Sequence, residues 1–115
     1  MTIPQDNTEF LARPADAVAG LVPDRRSAEA AIASLRAAGF PAVEARPRRC
    51  RLRDWGGDAT IMNLYVAGLH KGHSVVVVPS ARRWREEVGR LLVRHQGHGV
   101  YYFTARGVES LIVLV

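Results

Sequence analysis

All four histidines of the chain fall in two runs of like spacing, His70-Lys-Gly-His73 and His95-Gln-Gly-His98. Imidazole binds divalent cations and titrates near neutral pH, so their convergence would make a metal site or a proton-responsive cluster. Neither run has the i, i+4 spacing that marks two-histidine helical sites, so a shared site has to be assembled by the fold. Asp24, in the turn after a short apolar run, is a further candidate ligand for zinc or another divalent metal. The competing reading is structural. His95 closes the apolar face of an expected helix, where histidine commonly packs or bonds the last carbonyls. Gly72, next to His73, answers a backbone need.

A second constellation is basic. Arg46, Arg48, Arg49, Arg51 and Arg53 lie within one short segment, and guanidinium forks suit phosphate. Of the sixteen basic residues only Lys71 is lysine, and Ala, Gly and Val are abundant, as GC-rich coding sequence dictates. The net charge of +5 is discounted accordingly. Base stacking also calls for aromatics on central strands, whereas Tyr101, Tyr102 and Phe103 fall on an expected edge. A solvated basic edge is the favoured reading, and nucleic acid is not the expected partner.

Signatures of catalysis are missing from the sequence. There is no nucleophile elbow, no Walker loop and no dinucleotide fingerprint. Cys50 is the single cysteine; it can form no internal disulfide and build no thiolate metal site alone. Asp24, Glu29 and Asp58 read as helix-capping or first-turn charges. The expectation is a protein that is not an enzyme.

The elements that must position these residues follow from periodicity. Residues 1–15 are polar, contain Pro4 and Pro14, and read as a flexible N-terminal arm; residues 16–115 read as one domain. Residues 16–22 form a short apolar run suited to a strand buried on both faces. Pro23-Asp24 supplies a turn and a helix cap, after which Ala28, Ala31, Ile32, Leu35 and Ala38 recur at helical spacing up to Gly39. Residues 42–52 alternate weakly and include Pro47, which suits an edge strand. Asp54 to Gly57 reads as a turn, and Asp58 caps a short helix carrying Ile61, Met62, Tyr65 and Val66. Residues 74–78 suit a central strand. Ser80 is read as the cap of a second long helix with Trp84, Val88, Leu91, Leu92 and His95 on one face, stopped by Gly97. Residues 100–104 are the last clear strand, and 111–115 a fifth strand or an exposed apolar tail.

Strand-helix-strand, repeated, describes an α+β ferredoxin-like βαββαβ sandwich with a short extra helix before the third strand. In that arrangement the first and third strands are central, and the second and fourth are edges. The third and fourth strands then begin at one end of the sheet, flanking the end of the first. Two strand spacings would put the backbones at His73 and His98 about 10 Å apart, close enough for their imidazoles to share an ion. Asp24 belongs to the same end.

At 115 residues the chain has room for one core. No apolar run approaches the roughly 20 residues of a membrane-spanning helix, and residues 1–16 lack the basic-then-apolar pattern of a secretory signal. A cytoplasmic setting without a membrane partner is expected.

Three motifs, in order, carry a family resemblance. Gly20-Leu-Val-Pro-Asp24 leads into an Ala-rich helix closed by Gly39-Phe-Pro41. Tyr65-x-x-Gly68-Leu-x-Lys71-Gly72 precedes the valines 75–78, and Arg94-His95-x-Gly97 precedes a strand. Together they resemble small bacterial general-stress-protein domains over about residues 18–103. The resemblance implies a stress-associated domain, with no catalytic set to carry over. His73 stands where that pattern often has glycine, and His98 is outside it, so His70, His73 and His98 are particular to this chain. The leading expectation is a non-enzymatic domain acting by self-association or by binding a protein partner or ligand, with a metal sensor and a nucleic-acid binder as alternatives.

Overall fold

A computed structural model describes residues 9–12, 14–46, 50–53 and 59–111. Among these residues it is an α+β structure built on a five-stranded antiparallel sheet and three α-helices. The sheet comprises β2 (Ala17–Val22), β3 (Glu44–Arg46), β5 (Ser74–Pro79), β6 (His98–Phe103) and β7 (Val108–Ser110), in the order β3-β5-β2-β6-β7. The helices are α1 (Arg25–Ala37), α2 (Ala59–His70) and α3 (Arg85–Arg94). A parallel pair, β1 (Glu9–Ala12) with β4 (Cys50–Arg53), stands apart from the main sheet.

The two-sided apolar runs take the central places, as their composition requires. Every residue of β2 is buried. Val18, Val22, Val76, Val78, Val100 and Tyr102 face α1 and α3, where Ala28, Ala31, Leu35, Val88 and Leu92 meet them. The alternate residues Ala17, Ala19, Leu21, Val75, Val77 and Phe103 form a second cluster with Tyr65 and Leu69 of α2. The short helix thus covers the face that α1 and α3 leave open. It lies close, because a Cβ on Gly68 would come within 2.7 Å of the Leu21 side chain. Tyr65 is buried, and its hydroxyl donates to the Gly99 carbonyl at 2.8 Å.

All three helices end in the same way. Gly39 and Phe40 donate back to Arg36 and Leu35, Gly72 and His73 to Leu69 and Gly68, and Gln96 and Gly97 to Val93 and Leu92. Each is a Schellman closure with a left-handed residue just past the helix. Gly72 takes that position at φ +92°, whereas α3 puts Gln96 there at φ +71°.

Several expectations need correction. Residues 9–12, read as arm, form β1: Glu9-Phe-Leu-Ala12 pairs residue for residue with Cys50–Arg53. The expected strand 42–52 is two strands in two sheets. Pro47, which has no N–H for a ladder, lies between them by sequence. The fourth strand is not an edge, because β7 pairs along Tyr101–Phe103. Ser80 does not cap a helix; its hydroxyl is buried without a partner, and Ala81 precedes a single 3-10 turn at Arg82–Trp84 that runs into α3. That tighter turn breaks the 3.6-residue phase and leaves Trp84 41% exposed rather than on the core face. Gly97 follows the left-handed stop instead of forming it. The expected arm at 1–8, the Asp54–Gly57 turn, the Asp58 cap and the tail at 112–115 lie outside the described residues.

The closures make a stability prediction. Gln96→Gly relieves a left-handed non-glycine residue and should raise unfolding free energy by about 0.5–1 kcal/mol. Gly72→Ala should lower it by about 1 kcal/mol. Urea unfolding followed by circular dichroism checks both, and equal effects of one sign would contradict the assignment.

Candidate functional site

The geometry that brings His73 and His98 together begins with an irregularity in β6. Ala19 pairs with Tyr101, but Leu21 pairs with His98, so β6 contains one residue more than β2 over this stretch. The register shift coincides with Gly99, at φ +58°. Regular alternation would leave His98 on the same face as Val100 and Tyr102, under α1 and α3. The bulge turns it to the face of its partner Leu21, the face covered by α2. His73, just after the closure of α2, lies there too. The two rings stand edge to face with centroids 5.1 Å apart.

The ring nitrogens are differently placed. His98 Nδ1 lies 3.4 Å from the Gln96 carbonyl, a long contact in which a carbonyl can only accept. That contact favours the proton on Nδ1 and leaves the lone pair on Nε2. His73 Nδ1 is buried with no hydrogen-bond partner. Burial, then the neighbouring His98 and Lys71, hold the His73 pKa below its ordinary value and favour the neutral ring. Neutral imidazole is the form that binds a metal.

The remaining expected ligands go elsewhere. His95 Nε2 shares a hydrogen bond of 2.9 Å with Ser34 Oγ, tying the end of α3 to α1. His70 is exposed in the last turn of α2. Asp24 caps α1: its carboxylate accepts from the Ser27 N–H at 2.8 Å, and that bond is the main reason its pKa is lowered. Among the described residues no group of three or more His, Cys, Asp or Glu converges as a metal cage. The pair is therefore a two-imidazole arrangement, smaller than the five-residue set read from sequence.

The basic segment does not form one edge. Arg46 ends β3 in the main sheet, Arg51 and Arg53 belong to β4 in the separate pair, and Arg48 and Arg49 lie outside the described residues. A groove of about 500 Å³ opens between α1 and the β3–β5 side of the sheet. Its wall is apolar at Ala28, Ile32 and Ala45, and its charges are Arg25 and Glu29, which pair with each other at 3.2 Å. No helix among the described residues is long and apolar enough to cross a membrane.

Sequence reasoning missed Gly99 as the residue that orients His98, and Ser34 as the partner of His95. A glycine inside a strand is the ordinary signal for a bulge, and His98-Gly99 carries it. No comparable signal links Ser34 to His95 across the fold. Comparison of the chain with protein-family models, curated proteins and solved structures finds no match.

Two predictions follow from this geometry. Gly99→Ala forces a side chain into the left-handed region, with its Cβ 2.8 Å from Leu64 Cδ2. It should cost about 1–2 kcal/mol and separate the two rings; an unchanged nuclear Overhauser contact between His73 and His98 would contradict the role given to the bulge. For Asp24, the folded pKa lies below the ordinary 3.8, so its stabilising effect is present above that value. It is lost as pH falls through the lower folded value. Asp24→Asn keeps an acceptor for Ser27 and should flatten the acid limb of stability measured by urea melts below pH 4.

Proposed function

We propose that the chain is a non-enzymatic binding domain of ferredoxin-like organisation that takes a divalent transition-metal cation on His73 and His98. The observation that carries the binding reading is the 5.1 Å separation of the two ring centroids. Two imidazoles bound at 2.0–2.1 Å to one tetrahedral ion have centroids about 5 Å apart, so the ring spacing suits a shared ion once both rings turn a nitrogen toward it. A cation would also give the partnerless His73 Nδ1 a partner. The contact of His98 Nδ1 with a backbone carbonyl matches the outer-shell support that metal-binding histidines use.

The fold reading is supported by the order β3-β5-β2-β6, with α1 joining β2 to β3 and α3 joining β5 to β6. On that reading α2 and β7 are additions, one covering the open face and the other extending the sheet. The non-enzymatic reading rests on the missing catalytic motifs of the sequence, and several acids and bases have structural roles. Asp24 caps α1, Glu29 pairs with Arg25, Glu109 with Arg82 and Arg85, and His95 with Ser34. A stress-associated role rests on the three sequence motifs alone.

Calorimetric titration of the full chain with zinc chloride tests the binding reading. Saturable heat is expected, with affinity reduced roughly tenfold or more by either His73→Ala or His98→Ala. His95→Ala should leave affinity unchanged while lowering stability. Heat no greater than buffer, or binding indifferent to both His73 and His98, would sink the reading.

A further inference from the structure

We infer that the His73–His98 pair is half of a metal centre, completed by the same pair from a second copy of the chain, so that one divalent cation joins two copies. The inference rests on the cation reading above and adds its stoichiometry and partner. A tetrahedral zinc ion takes four ligands. The described residues supply two, and no third His, Cys, Asp or Glu among them joins the pair. The other histidines do not close the gap: His95 is engaged with Ser34, and His70 is outside the pair on exposed helix. Water could complete the shell. The surface around the pair favours a protein instead.

His98 is exposed and His73 half-buried, so the pair reaches the surface through His98. Beside it stands Leu64, one of the two large apolar side chains left exposed among the described residues. Leu64 lies directly against the bulge, since a Cβ on Gly99 would fall 2.8 Å from its Cδ2. An open imidazole pair flanked by an exposed leucine is a self-complementary patch under a two-fold axis. Each copy then offers two nitrogens to the ion and one leucine to the contact, as an isologous interface requires. Four imidazole nitrogens fill the tetrahedron. Each chain carries a net charge of +5, which opposes pairing in the absence of the ion, so a monomer is the expected state of the metal-free chain.

The test is zinc stoichiometry measured together with mass. Light scattering after size exclusion, on the full chain with and without zinc chloride, should show 12.6 kDa without metal and twice that mass with it. Calorimetry should saturate at one zinc for every two chains. His98→Ala, a change at an exposed position, should abolish both effects while leaving the circular dichroism spectrum intact. Leu64→Glu should weaken zinc-dependent pairing roughly tenfold or more by removing the apolar contact and burying a charge. One zinc per chain at an unchanged 12.6 kDa would overturn the shared centre and leave the cation-binding reading standing. No zinc heat would overturn both. A dimer that persists in EDTA would overturn the bridging role of the ion.

Discussion

The constraint on which the rest depends is the complete burial of β2 between two neighbouring strands and two layers of helix. Its side chains alternate between two cores, so both faces of the sheet have to be covered. Burying a valine or leucine is worth about 1.5–3 kcal/mol, against about 0.5–1.5 kcal/mol net for a ladder hydrogen bond. Coverage therefore weighs more than pairing in deciding the architecture. The alanine-bearing face of α1 and the Val88–Leu92 face of α3 close one side, and α2 closes the other. Gly68 is needed because Leu21 already occupies the space that a larger residue would fill.

That constraint also creates the site. For α2 to lie over Leu21, the chain must return to the sheet at the end where β2 finishes. The glycine closure at Gly72 makes that return, and His73 follows it immediately. The β6 bulge occurs across β2 from the same region, next to the Tyr65 hydroxyl that bonds the Gly99 carbonyl. One tyrosine thus links the covering helix to the irregular strand. The two histidines meet because packing fixes the turn on one side and the bulge on the other.

Much of this was readable from residue pattern. The valines 75–78 and the run at 16–22 have no polar alternation, and only central strands tolerate that. Asp24 followed by an alanine stripe and Gly39 marks both ends of α1. Other features were hidden for definite reasons. Val108–Ser110 is too short for a period, and Pro47 conceals two strands behind one weak alternation. Trp84 misleads because a 3-10 turn changes the phase without changing the composition. The likeness of His70-Lys-Gly-His73 to His95-Gln-Gly-His98 is now explained by helix closure: in each, the first histidine is at or next to the helix end, and the last is at or next to the following strand. The repeat comes from two helix-to-strand turns of the same build, and only its last members meet.

Helix direction gives those last members a further property. α2 and α3 both end near the site, His70 three residues before His73 and Arg94 four before His98. A helix carries about half a negative charge at its C-terminus, and the effect fades within a turn. At His73 burial and the neighbouring charges of His98 and Lys71 disfavour protonation. A proton placed on His73 would have to sit on a ring whose Nδ1 has no acceptor. A divalent ion bound as proposed above would use a lone pair from each neutral ring. On the cation reading proposed above the two rings act as a ligand set, whereas a proton switch would require His73 to carry a charge that its burial and Lys71 disfavour.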